Sequence, residues 1–304
     1  MTSQNQGAPS ISDEELSTLE AAFRKGLRDR SFDGLNILGY GEIGVAVGWP
    51  FDSPRMVVKR LPSDPDPAES QEMFAWIRRY ESAIEPHLTL TPTDHRTITA
   101  EDGWTVPFMV QPLLPRHTLV ETILAETEPE ADHPILVAIR DTLLAIVADG
   151  RQALDGQVSN FAWADGRLEF FDTGSPLLYD DAGEPEVRIG SYARVLPSAL
   201  MPVVRRSIVK VANQMGGPRG TLTHTALSVL RVDQHRWLDA VLATFNTVLD
   251  EPLTAAEIED GMAKTHGEMK IIKRAARLQR AWATTVRRQP YDVFITDSFT
   301  HEIL

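Results

Sequence analysis

Three kinds of residue in this sequence stand where phosphate chemistry would need them. Between Asn36 and Arg60 a glycine triplet, Gly39, Gly41 and Gly44, follows the spacing G-x-G-x-x-G with apolar residues on both sides. Glycines let backbone N–H groups approach an anion closely. The run Met56-Val57-Val58 then ends at Lys59, the only lysine between Gly26 and Val209 in a stretch where arginine is frequent. A single ammonium kept at a strand end points to a need for that compact charge. Further along, Asp155 and Asn160 lie five positions apart and Asp172 follows. Their oxygens are the hard donors that Mg²⁺ takes.

The elements that must position these residues can be read locally. Val45-Ala46-Val47 continues as a strand after the glycines, and Pro50 blocks a helix nearby. A dinucleotide-binding turn, which must open a helix, is therefore excluded. A glycine-rich hairpin without a ligand is the plain alternative. Phe161 to Trp163 reads as a short strand, Ala164 to Arg167 as a hairpin turn and Leu168 to Phe171 as the returning strand. That strand delivers Asp172-Thr173-Gly174.

Taken in order, Gly39, Gly41, Gly44, Lys59, Asp155, Asn160, Asp172 and Gly174 resemble the protein-kinase-like superfamily, on the side of the aminoglycoside and choline phosphotransferases. The stretch DGQVSNFA followed by DTGSP also resembles a group of uncharacterised bacterial kinase-like proteins. The resemblance implies an α+β, two-lobed fold: a small antiparallel β-sheet N-lobe and a mostly helical C-lobe. It implies ATP and Mg²⁺ as cofactors. Gly39, Gly41 and Gly44 would let the backbone approach the phosphates, and Lys59 would contact them and pair with a carboxylate on the next helix. Asp155 would accept or orient the acceptor hydroxyl, and Asn160 and Asp172 would bind Mg²⁺. Gln111 and Leu113 fall at the hinge between the lobes, where backbone groups would meet adenine. Three positions depart from the family. Ala153 stands where a His usually precedes the catalytic Asp, Thr173 replaces a Phe, and no Ala-Pro-Glu follows, unlike an ordinary protein kinase.

Composition bounds the class. The 304 residues suffice for two lobes with a substantial core, and the 42% hydrophobic and 24% charged content is that of a soluble globular protein. No stretch is long and apolar enough to span a membrane, and MTSQNQGAPS lacks the layout of a signal peptide. The absence of cysteine excludes disulfides, zinc thiolates and thiol catalysis, and fits a cytoplasmic protein. A formal net charge of -13 argues against nucleic-acid partners and means that a nucleotide site needs local cationic compensation. The eight histidines show no metal spacing, and His224 and His235 are isolated in sequence. Ser159 and Ser175 lack a nucleophile-elbow context.

Residues 1–11 are expected to form a disordered tail, 12–111 the N-lobe and 112–304 the C-lobe. Ser12 to Glu15 reads as a capping box opening a helix to about Lys25. Pro62 to Pro67 is a turn-rich break, followed by a helix over about 68–85. That helix should carry the partner of Lys59; Glu72, in its early turns, is the choice, with Glu69 and Glu81 as alternatives. Thr97 to Ala100 and Thr105 to Val110 bracket a hairpin. Ile135 to Ala148 is an apolar helix leading to Asp155. Past about 186 the chain reads as mostly helical, with an amphipathic segment over 233–249, a second capping box at Thr254 to Glu257 and a basic helix over 264–288. Ile271, Ala275, Leu278 and Trp282 should line the packed side of that last helix. Glu184 and Glu186 read as solvated loop charge.

These features point to an ATP- and Mg²⁺-dependent phosphotransferase acting on a hydroxyl of a small molecule or of a peptide Ser or Thr. A weak or inactive pseudokinase that binds nucleotide or a partner protein is the alternative. AMP transfer on the same fold is the third.

Overall fold

The computed structural model describes residues 8–29, 31–40, 44–188 and 201–286. Its fold is α+β. The first half is built on a five-stranded antiparallel sheet in the order β1-β2-β3-β6-β5, made of β1 (Ile37–Tyr40), β2 (Val45–Trp49), β3 (Met56–Arg60), β5 (Asp94–Thr99) and β6 (Thr105–Pro112). The short strand β4 (Thr89–Leu90) belongs to a different sheet.

Strand alternation sorts the side chains of this sheet onto two faces. Val58 and Arg60 of β3 share one face with Val45 and Val47 of β2 and with Phe108 and Val110 of β6. Helix α1 (Asp13–Asp29) covers that face with Leu16, Leu19 and Phe23. The expected capping box forms at its start: the Glu15 N–H donates to Ser12 Oγ at 3.2 Å, and the Ser12 N–H donates to the Glu15 carboxylate at 2.9 Å. Lys59 points to the opposite face, beside Ala46 and Met109. Helix α2 (Pro67–Ile84) packs there, with Phe74 and Ile77 against Leu61 and Met109. Asp66 caps it, accepting from the Ala68 N–H at 2.9 Å, and Pro67 occupies the first turn.

The second half is mainly helical among the described residues. It contains α3 (Val120–Glu126), α4 (Pro134–Val147), α5 (Met201–Met215), α6 (Pro218–Arg231), α7 (Leu238–Asn246) and α8 (Ala255–Ala281). Leu136, Ile139 and Leu143 of α4 meet Leu222, Ala226 and Val229 of α6 and Val241 and Phe245 of α7 in one large core. Trp237 is fully buried in it, its indole N–H donating to the Leu124 carbonyl at 2.7 Å. Tyr80 and Ile84, at the end of α2, join the same core, so α2 contacts both halves. Between the halves lies a hairpin of β8 (Phe161–Ala164) and β9 (Arg167–Phe170), with β4 parallel to β9. Asp165 and Gly166 make its turn with φ of 52° and 74°, the left-handed pair that a tight two-residue hairpin requires. Two short strands, β7 (Gln152–Ala153) and β10 (Leu177–Leu178), pair on either side of it.

Three expectations need correction. Residues 1–7 of the expected tail lie outside the described residues, but Ile11 at its end is 2% exposed and joins the core under α1. The amphipathic segment over 233–249 is not one helix: Asp233 takes a positive φ of 59°, a 3-10 turn spans His235–Trp237, and only then does α7 begin. On the basic helix, Leu278 and Trp282 do not line a packed face; they are 71% and 51% exposed. The Ile271 and Ala275 side chains lie outside the described residues. No helix among the described residues is long and apolar enough to cross a membrane.

Candidate active site

The site forms where the open face of β3 meets the end of the β8–β9 hairpin. Lys59 Nζ donates to Asp172 Oδ1 at 2.5 Å, joining residues 113 positions apart. The Gly174 N–H donates to the same oxygen at 3.2 Å. Asp172 Oδ2 has no hydrogen bond among the described residues. Both partners remain partly open to solvent, so this pair is accessible to a ligand.

Of the glycine triplet, Gly39 lies in β1 opposite Ala46, with open space beside it. Gly41 lies outside the described residues. Gly44 has no room for a side chain: a Cβ there would sit 2.9 Å from the Arg60 carbonyl and 3.6 Å from Lys59 Cε. Gly44 therefore lets its own backbone lie directly against the Lys59 stem.

Asp155 follows β7 on a loop that α6 holds in place. Its Oδ1 pairs with His224 Nε2 at 3.0 Å, and its Oδ2 accepts from Gln157 Nε2 at 2.9 Å. Arg231 Nη1 donates to Gln157 Oε1 at 3.1 Å, and the Val158 N–H donates to Ser228 Oγ at 3.0 Å. Burial pushes the Asp155 carboxyl up, but the His224 hydrogen bond and charge, the Gln157 hydrogen bond and the Arg231 charge together hold it below the ordinary carboxylate range. Gly156 passes so close to α6 and α4 that a Cβ would sit 2.4 Å from Thr225 Oγ1 and 3.0 Å from Leu143 Cδ2. The whole loop is thus seated on one face of α6.

Asn160 links this loop to Asp172. Its side-chain N–H donates to the Asp155 carbonyl at 3.1 Å, and its own carbonyl accepts from the Phe171 N–H at 3.2 Å. The Asn160 amide oxygen keeps no hydrogen bond among the described residues. The hard oxygens left over are therefore Asn160 Oδ1 and Asp172 Oδ2. No group of three or more His, Cys, Asp or Glu that could hold a metal occurs among the described residues. A pair of oxygen donors suits Mg²⁺, which keeps waters and takes the rest of its ligands from phosphates.

Tyr80 reports that the two acids converge. Its phenol is pushed well above its usual value, first by burial and then by the charges of Asp155 and Asp172. Its hydroxyl donates to the Ala153 carbonyl at 3.0 Å. Ala153 is fully buried at the position where the resemblance would put an imidazole. The imidazole beside Asp155 comes instead from α6, as His224.

The expected Lys59 partner is corrected. Glu72 does not meet Lys59; it pairs with Arg188 at 2.8 Å, and Glu69 lies 3.5 Å from the same guanidinium. The reason is helical phase. Ser70, Phe74, Ile77 and Ile84 form the buried stripe of α2, and Glu72 falls on the other side. Glu81 shares the stripe and reaches the site: it accepts from Thr173 Oγ1 at 2.7 Å and lies 3.5 Å from His95 Nε2. Thr173 thus ties the segment after Asp172 to α2 by a hydrogen bond.

The hinge expectation is also altered. Gln111 is buried in β6, and its side-chain N–H groups donate to Thr93 Oγ1 and to the Phe171 carbonyl, both at 2.8 Å. The Leu113 N–H donates to the Arg55 carbonyl at 3.2 Å. The Leu113 donor is engaged because the β3–β6 pairing runs to the end of the strand; the Gln111 side chain is taken up by Thr93 and Phe171. Glu186, expected as solvated charge, pairs with Arg79.

Sequence reasoning missed His224. A signal was there: His224, Ser228 and Arg231 fall at i, i+4 and i+7 among the apolar residues of α6, a polar line on a helix that must bury that side. The chain belongs to a family of unknown function (DUF6206), whose profile matches residues 30–288. No curated protein matches it.

Proposed function

We propose that this chain is a phosphotransferase of the two-lobed, protein-kinase-like kind, moving the γ-phosphoryl group of ATP to a hydroxyl of a small molecule or of a peptide Ser or Thr. The observation that carries the reading is the 2.5 Å meeting of Lys59, from the middle strand of the sheet, with Asp172, from the end of the second hairpin. Asp155 and Asn160 are tied to the same place through Phe171 and the loop backbone. Phosphoryl transfer asks little covalent chemistry of a protein and much positioning and charge neutralisation.

In this reading the Lys59 ammonium contacts the nucleotide phosphates, and the turn containing Gly39, Gly41 and Gly44 brings backbone N–H groups to them. Asn160 Oδ1 and Asp172 Oδ2 would hold a magnesium ion, which when bound neutralises charge on the phosphates. Asp155 marks the acceptor side. Its carboxylate is fixed by His224 and Gln157, so its orientation does not depend on the acceptor.

A pseudokinase is the second reading, and one observation favours it. The Leu113 N–H, which the hinge of an active enzyme would offer to adenine, is already bonded to Arg55. Slow Mg²⁺-dependent ATP hydrolysis by the purified protein, lost by about 10³-fold or more in Lys59→Ala and Asp172→Ala, is the expected result. Nucleotide binding without turnover across an acceptor screen supports the pseudokinase, and a product heavier by AMP instead of phosphate supports nucleotidyl transfer. Unchanged turnover in Lys59→Ala removes the lysine from the mechanism.

A further inference from the structure

We infer that His224 takes the proton of the acceptor hydroxyl and that Asp155 is its positioning partner; the inference rests on the phosphotransfer reading above. Asp155 is poorly placed to act as the base itself. Both of its oxygens already accept, one from His224 and one from Gln157, and Gln157 is in turn held by Arg231.

His224 has what Asp155 lacks. An ionised Asp155 can only accept, so the imidazole nitrogen facing it, Nε2, carries the proton. Nδ1 is then the lone-pair nitrogen, and it has no hydrogen bond among the described residues. A buried or half-buried carboxylate that fixes an imidazole and stabilises the imidazolium is a proven way to build a base. Among the described residues, the charge acting on this pair from outside it is Arg231 of α6, which also holds Gln157.

The helix makes the placement rigid. Thr225 abuts Gly156, Ser228 accepts from Val158, and Arg231 holds Gln157. His224 thus sits on the same face of α6 that seats the whole loop. The step balances without further reagents. The acceptor O–H bond breaks, its proton goes to Nδ1, and the oxygen bonds to the γ-phosphorus of ATP. The bond from that phosphorus to the β–γ bridging oxygen breaks, its electron pair leaving on ADP.

The test compares ATP turnover of the wild type with Asp172→Ala, His224→Ala and His224→Gln, alongside ATP binding by calorimetry. His224→Gln can still donate to Asp155 but has no basic nitrogen. Both His224 variants are expected to lose about 10²–10⁴-fold in turnover while ATP affinity holds, and free imidazole is expected to restore part of it in His224→Ala. Turnover near wild type in His224→Gln overturns the inference, because a hydrogen-bond donor alone would then suffice. So does an inactive His224→Ala that binds ATP normally yet gains nothing from imidazole. If Asp172→Ala abolishes turnover while His224→Gln keeps it, only this inference falls. If the wild type turns over no ATP, the phosphotransfer reading falls with it.

Discussion

Lys59 and Arg60 are neighbours on one strand, and β3 turns them to opposite faces of the sheet. Arg60 is sealed: its guanidinium makes two hydrogen bonds to the Glu20 carboxylate, at 2.8 and 2.9 Å, and sits 4.5 Å over the Phe23 ring. Its side chain is 1% exposed. Among the described residues Lys59 makes one hydrogen bond, to Asp172, whose second oxygen is left over. The difference separates a charge that holds helix α1 to the sheet from a charge that is available to a ligand. Saturation of hydrogen bonds, more than burial or net charge, tells the two apart.

The largest effect on stability should come from the sealed side. Arg60→Ala leaves the buried Glu20 carboxylate paired with Arg24 but without its buried partner, and should cost up to about 3–5 kcal/mol, read as a shift in the urea midpoint. Lys59→Ala, expected under the phosphotransfer reading to stop turnover, should cost less stability than Arg60→Ala, because its pair is the more exposed of the two. Equal destabilisation by the two variants would break the comparison.

A smaller effect is expected at Gly156, which extends the comparison to the loop under α6. Gly156→Ala pushes a methyl into Thr225 and Leu143 and should cost about 1–3 kcal/mol. Turnover should fall as well, since Asp155 is the adjacent residue. Full activity with an unchanged urea midpoint would show that the loop is not held as tightly as its contacts indicate.

The smallest effect is in the acid limb of the stability curve. Asp155 is held below its unfolded value of about 3.9. Its contribution to stability is therefore complete above that value and is lost as pH falls through the lower folded value. Asp155→Asn should flatten the stability curve below about pH 4 and leave its neutral region with little change in slope. Because the side chain is partly exposed, the change is modest, and an unaltered acid limb would mean that His224 and Gln157 do not favour the charged form.

The sequence carried what local rules determine. The β2–β3 hairpin with its lysine, the β8–β9 hairpin with a left-handed turn at Asp165, the capping boxes at Ser12 and Thr254, and the α4 helix ahead of Asp155 each depend on residues within a few positions of one another. What was misread or missed needs tertiary docking. An early place in α2 points to Glu72, whereas the buried stripe of that helix turns Glu81 toward the site, where it meets Thr173 and not Lys59. His224 lies 69 positions from Asp155, and only the seating of the loop on α6 brings them together. The engaged Leu113 N–H depends on how far two strands stay paired, a matter of register that spacing alone does not fix.

Gln111 gives the sheet and Asp172 a shared mechanical fate. Its amide is clamped to Phe171, the residue before Asp172, while Lys59 on the neighbouring strand β3 grips Asp172 itself. Any rocking of the sheet against the helical half must load both bonds together. Separation of the sheet from the helical half and displacement of the Asp172 carboxylate are then one motion.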